Sequence, residues 1–154
     1  MHKDLVTLKQ ITAPILDDIK IFQQEFENAL QSEVRLINSI SKYMIRNRGK
    51  NIRPILTILS ARLCGKPTLN SYRAAAMMEQ LHIEILIHAD VVDDATLRSG
   101  QQSIKKVWKN KIIVLQGHFI LSKELINMIG VKDLAALEKN SSTVDNLTRG
   151  EFRQ

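Results

Sequence analysis

The feature that most restricts the fold of this chain is a set of apolar residues returning every three or four positions: Ile15, Ile19, Phe22, Phe26 and Leu30. Such a stripe lines one face of an α-helix, whereas a half-buried strand repeats every second residue. Pro14 suits a first helical position, so the spacing predicts a helix over about 14–31. Val34, Ile37, Ile40 and Met44 repeat the pattern behind Ser32, which offers a cap, and Gly49 offers a left-handed stop. A second helix is therefore expected over roughly 33–48.

Pro54 opens a third helix, "PILTILSARLC", which Gly65 and Pro67 close, and Asn70 or Ser71 caps a long fourth one through "YRAAAMMEQLHIEILIHADVVDD". After a loop at "RSGQQ", Ser103 caps a short turn holding Trp108, and "KIIVLQGHFILSKELINMI" reads as an apolar helix ending before Gly130. Its "IIVL" is strand-like in isolation, but no second run exists to pair with it. The tail, "LAALEKNSSTVDNLTRGEFRQ", is helical with a bend at "KNSS" and reads as cut rather than finished. The expected class is all-α, a helical bundle formed by a single domain over residues 1–154.

A chain of 154 residues can enclose one core, and 44% apolar with 25% charged residues is ordinary globular usage. The single Cys64 cannot form an internal disulfide, and no apolar run reaches the length of a signal peptide or a membrane span. A soluble, cytoplasmic protein without a transmembrane segment is expected. The net charge is +6, and Lys42, Arg46, Arg48, Lys50 and Arg53 fall together with no acid among them. Nucleic acid, anionic lipid and small phosphorylated metabolites all fit such a cluster, as does a simple solvated face. Within it only Tyr43 is aromatic, so stacking on bases has little support and no nucleic-acid partner is expected.

The chemistry concentrates in "LIHADVVDDATLRSG", residues 86–100. Asp90 lies within a helical turn of Asp93 and Asp94, with His82 two turns earlier on much the same side. Two carboxylates so spaced can hold Mg²⁺ together with phosphate oxygens and water, although an acidic helix end exposed to solvent has the same pattern.

In order and spacing, these elements resemble the trans-prenyl diphosphate synthases, the polyprenyl and geranylgeranyl type, over the N-terminal half of that family. "RGKNIRP" resembles the family's GGK-x-[IL]-RP, and "MEQLHIEILIHADVVDDATLRSG" its E-x-[IL]-H, HDDVVD and RRG segments. "VLQGHFILS" resembles VL-x-GD-[YF]-LL-[AS], and "RGEFRQ" resembles GE-x-x-Q. The resemblance implies part of the isoprenoid synthase fold, and a reaction joining isopentenyl diphosphate to an allylic diphosphate with Mg²⁺ held by two aspartate-rich motifs. It implies that Lys50, Arg53 and His82 hold the isopentenyl diphosphate, that Asp90 and Asp93 belong to the first metal motif, and that Arg98 touches the allylic diphosphate.

The departures from that pattern fall on the working face. The first motif reads Ala89-Asp90-Val91-Val92-Asp93 where the family has DDxxD, so a principal metal ligand is absent and the Mg²⁺ site is weakened or lost. Ser99 replaces the second arginine of RRG, and a hydroxyl cannot imitate a bidentate guanidinium. His118 replaces the aspartate of GD, and Glu84 and Ile85 stand where the family sets product length with small or aromatic residues. Family enzymes are roughly twice this length and carry the second aspartate-rich motif in the half not represented here.

The expected protein is thus a truncated, degenerate relative, inactive alone and with no catalytic residue assigned. It would form a homodimer or join a full-length synthase as a non-catalytic subunit. The alternatives are the N-terminal portion of an active synthase, and a basic helical module for nucleic acid or membrane.

Overall fold

A computed structural model describes residues 6–92 and 108–153, and the backbone of residues 97–98 and 101–102. The chain begins with α1 (Leu8–Thr12), a 3₁₀ turn at Ala13–Ile15 and α2 (Leu16–Ala29), and continues with α3 (Arg35–Arg46), α4 (Ile52–Cys64) and α5 (Leu69–Val92). Past a two-residue antiparallel ladder, in which Leu97 pairs with Gln102 and Arg98 with Gln101, come α6 (Asn110–Val131) and α7 (Leu134–Glu151). The all-α expectation holds. The turn expected around Ser103 lies outside the described residues.

Several boundaries differ from the sequence reading, each for a local reason. Pro14 does not start the first helix, because Thr7 caps α1 upstream in a reciprocal box with Gln10, and the proline fits the intervening 3₁₀ turn. Gly49 does not supply the left-handed stop; α3 ends at Asn47, and Asn51 takes φ 53° at the entry to α4. Asparagine tolerates that region because its short polar side chain costs little there. Ser32 does not cap α3 itself: Val34 is the cap position, while the Ser32 hydroxyl accepts from the Val34 N–H at 3.2 Å.

Nor does α5 wait for Asn70 or Ser71, since it begins at Leu69 with the Thr68 carbonyl accepting from the Ser71 and Tyr72 N–H groups. α6 runs through Gly130 to a left-handed Lys132, and α7 continues through "KNSS" without a break, started by the Asp133 carboxylate accepting from Ala135 and Ala136 N–H.

α5 is the centre of the bundle, packed by α2, α4 and α6. It buries residues on several faces, as a helix with neighbours on three sides should, the polar Glu79, Gln80, Glu84 and Asp90 among them. Phe22, Phe26, Ile40, Ile58, Ile113 and Ile120 of the other helices are fully buried, as is Ala75 of α5. Asp18 ties three helices together: its carboxylate receives Nε and Nη2 of Arg62 on α4 at 2.8 and 2.7 Å and the Tyr72 hydroxyl on α5 at 2.7 Å.

By length and mean hydropathy α6 is apolar enough to cross a membrane, contrary to the expectation that no segment reaches that size. In the bundle, however, Ile113, Gln116, Gly117, Ile120, Glu124 and Met128 make a face packed inward, and two of those six are polar. Its other side leaves Leu115, Ile126 and Ile129 more than half exposed.

Candidate functional site

The basic loop between α3 and α4 is shaped from within by Arg48. Its guanidinium stands 5.8 Å from the Phe22 ring and 5.2 Å from the Phe26 ring, an arrangement that holds a cation against aromatic faces. Burial lowers its pKa, against the attraction of Glu79 and Glu27. It stays charged nonetheless, as arginine does in proteins. With Arg48 turned inward, Lys50 and Arg53 are exposed on either side of the left-handed Asn51.

Those two cations have different neighbours. Lys50 lines a recess of about 360 Å³ with Leu8, Thr12, Phe22, Ile55 and Ile58, between α1, α2 and α4. Arg53, two residues into α4, acts electrostatically on Glu79 of α5. Glu79 is buried, which pushes its carboxyl above the usual range, while Arg48 and Arg53 pull it down. His82 follows one turn further along α5 and is half-buried. Of the expected diphosphate residues, Arg53 and His82 are thus each related to Glu79, Arg53 by its charge and His82 by one helical turn.

At the far end of α5, Ala89 is half-buried and Asp90 is buried, 4% exposed. Seven residues separate His82 from Ala89, close to two full turns, so these two share a face and Asp90 is rotated from it toward the interior. Asp93 and the side chain of Arg98 lie outside the described residues. No group of three or more His, Cys, Asp or Glu side chains able to hold a metal occurs among the described residues.

The substituted positions have structural partners of their own. Glu84, 8% exposed, accepts from His88 Nδ1 at 2.8 Å, so the carboxylate that suited an apolar tunnel poorly is satisfied in place. The Glu84 hydrogen bond raises the His88 pKa, against its burial. The His88 ring lies 6.2 Å from that of His118, which is exposed on α6.

Between these two helices Gly117 allows close approach: a Cβ there would stand 2.7 Å from His88 Nε2. Gly117→Ala is accordingly expected to destabilise the chain by about 1–2 kcal/mol despite alanine's better helix propensity. Chemical denaturation of Gly117→Ala, His88→Ala and the double variant checks this. The alanine at 117 should become harmless once His88 is gone, and additive effects would mean that the two do not meet.

Buried polar pairs that no sequence pattern had singled out join the helices: Gln116 to Ser41 at 3.0 Å, Asn127 to Gln80 at 3.1 Å and Asn140 to Glu124 at 2.6 Å. Tyr43, the aromatic of the basic cluster, meets Trp108 edge-on with ring centroids 5.1 Å apart.

Comparison with known proteins bears directly on this arrangement. The sequence profile of the polyprenyl synthetase family matches residues 34–154. The chain is 31% identical over 147 residues to an all-trans-nonaprenyl-diphosphate synthase (geranyl-diphosphate specific) of Rhodobacter capsulatus, covering 95% of this chain and 45% of that one. It is 30% identical over 147 residues to heptaprenyl diphosphate synthase component 2 of Geobacillus stearothermophilus, covering 96% of this chain and 46% of the relative.

Its fold superposes on a crystal structure of polyprenyl synthase from Caulobacter crescentus CB15 complexed with calcium and isoprenyl diphosphate. The TM-score is 0.89 at 27% identity, over 95% of this chain and 44% of that chain. The chain thus spans about half the length of the curated relatives it matches.

Proposed function

The chain belongs to the polyprenyl synthetase family, and from that premise we propose that it binds prenyl diphosphates in isoprenoid biosynthesis without transferring a prenyl group by itself. The observation that carries this reading is the contrast between the middle of α5 and its C-terminal end. At mid-helix a buried Glu79, which Arg53 of α4 attracts electrostatically, is followed one turn on by His82, a polar group suited to a diphosphate. At the end, Ala89 occupies the face that His82 shares and offers no oxygen to a metal.

On this reading Arg53 and His82 bind the isopentenyl diphosphate, and Lys50 reaches the same anion from the loop by its flexible stem. Arg98 serves the allylic diphosphate. Mg²⁺, when bound by a complete set of ligands, neutralises departing pyrophosphate; Asp90 and Asp93 without a carboxylate at 89 form a weakened or lost version of that site. The protein then works as one component of a dimer or of a heteromer with a full-length synthase. Relatives named as component 2 of a heptaprenyl diphosphate synthase support that reading. Cytoplasmic residence belongs to the same proposal.

The test has two arms. Calorimetry is expected to detect pyrophosphate binding by the chain alone, and incubation with isopentenyl and allylic diphosphates in Mg²⁺ is expected to yield no longer prenyl product. Co-expression with a full-length synthase should give co-elution in size-exclusion chromatography and an altered product length. Turnover by the chain alone would instead favour an active portion of a synthase, a reading supported by its coverage of half of each relative. Restoring Ala89→Asp should then raise that turnover.

A further inference from the structure

α7 is weakly supported for its length, because of its 18 residues only Asn140 is buried. Leu134 at its start and Phe152 just past its end are 82% and 89% exposed, so no large apolar side chain pins either extremity. What holds its middle is polar. The Asn140 amide donates to Glu124 Oε1 at 2.6 Å and contacts Met128 Sδ at 3.2 Å, both on α6. Glu124 is 1% exposed, and its second oxygen, Oε2, is buried with no hydrogen-bond partner.

Among the described residues, the groups around Glu124 offer it no direct cation. From α5 it feels the Glu84 carboxylate, which is itself paired with His88, and one turn earlier on α5 Gln80 engages Asn127 of α6 rather than Glu124. From α7 comes only the neutral Asn140. A dry carboxylate with one oxygen unpartnered gains more from water than from its present surroundings when it ionises. The helix that covers it has little else holding it down.

We propose that α7 is a releasable arm, latched to α6 by the Asn140–Glu124 contact, and that its release lets water reach the Glu124 carboxylate. Burial pushes the Glu124 carboxyl above its ordinary range; the Asn140 hydrogen bond opposes this and the Glu84 charge adds to it. The latched form therefore holds the proton more tightly than the released form. Latching is complete below the ordinary carboxylate range and weakens as pH rises through the raised value.

Amide hydrogen exchange on the whole chain, expressed as protection factors so that the chemical pH effect cancels, tests the latch. Asn140→Ala should lower protection across α7 about tenfold while leaving α2 unchanged. In the unaltered chain, protection of α7 relative to α2 should fall as pH rises from the ordinary carboxylate range through the raised value. Glu124→Gln keeps the size and the accepting oxygen of the side chain and should abolish that fall. An Asn140→Ala effect within twofold, or one shared equally by α2, would overturn the latch, and a pH dependence surviving Glu124→Gln would overturn the role of its carboxylate.

Discussion

Asp18→Ala is expected to cost the chain about 2–3 kcal/mol and to lower its melting temperature by roughly 8 °C. The carboxylate is 3% exposed and takes three hydrogen bonds from two other helices. Its removal takes from the buried Tyr72 hydroxyl the acceptor it has among the described residues. Arg62 loses less, because its side chain is 46% exposed and water can resolvate it. Asp18→Asn, which keeps an acceptor for Tyr72 and loses the charge facing Arg62, should fall between the extremes.

The neighbouring Asp17 provides the internal comparison. Its side chain is 95% exposed and it sits 3.6 Å from an equally open Lys20, so Asp17→Ala should leave the melting temperature unchanged. If Asp18→Ala were no worse than Asp17→Ala in a thermal scan, the three-helix tie would have no energetic role.

Asp18 also shows how far the sequence could be read. It stands three residues after Ile15 and four before Phe22, squarely on the apolar stripe that predicts α2. A charge on that face is a signal that a buried partner exists, but the pattern cannot name Arg62 or Tyr72, which lie 44 and 54 residues away. The same holds for Gln116 and Glu124 on the inward face of α6. Helices were legible because their periods are local. The helix ends were less so, because Pro14, Gly49 and Gly130 each have more than one conformational use and neighbouring Thr7, Asn51 and Lys132 decided the matter.

For the candidate site, motif order in the sequence led to the family. The electrostatic coupling of Arg53 to Glu79, and the inward turn of Arg48, had no sequence signature, since the first depends on how α4 meets α5 and the second on how the α3–α4 loop meets α2. The burial of Asp90 follows from helical phase once α5 is known to be covered on three sides. Before that, Asp90 and Ala89 were two adjacent letters with equal claim to the outer face.

Arg53 yields the second large effect. Arg53→Ala is expected to weaken pyrophosphate binding ten- to a hundredfold, the loss of one or two charge-assisted hydrogen bonds. An exposed cation remote from the loop, Lys139, serves as control, and Lys139→Ala should change affinity by less than about twofold if the loss is local rather than a matter of net charge. Glu79→Gln should act in the opposite direction. Its carboxylate is the built-in counter-charge of Arg48 and Arg53, so neutralising it leaves those cations more strongly attractive to an external anion, and affinity should rise about threefold to tenfold.

The pH dependence has the same origin. Burial holds the Glu79 carboxyl above its usual range, so on acidification it is neutralised before ordinary carboxylates are, and anion affinity should rise as pH falls through that raised value. Measured as the ratio of the unaltered chain to Glu79→Gln at each pH, the protonation of pyrophosphate itself cancels. Arg53→Ala without effect, or Glu79→Gln weakening binding, would place the diphosphate elsewhere on the molecule. The recess lined by Lys50 would then be the next surface to test.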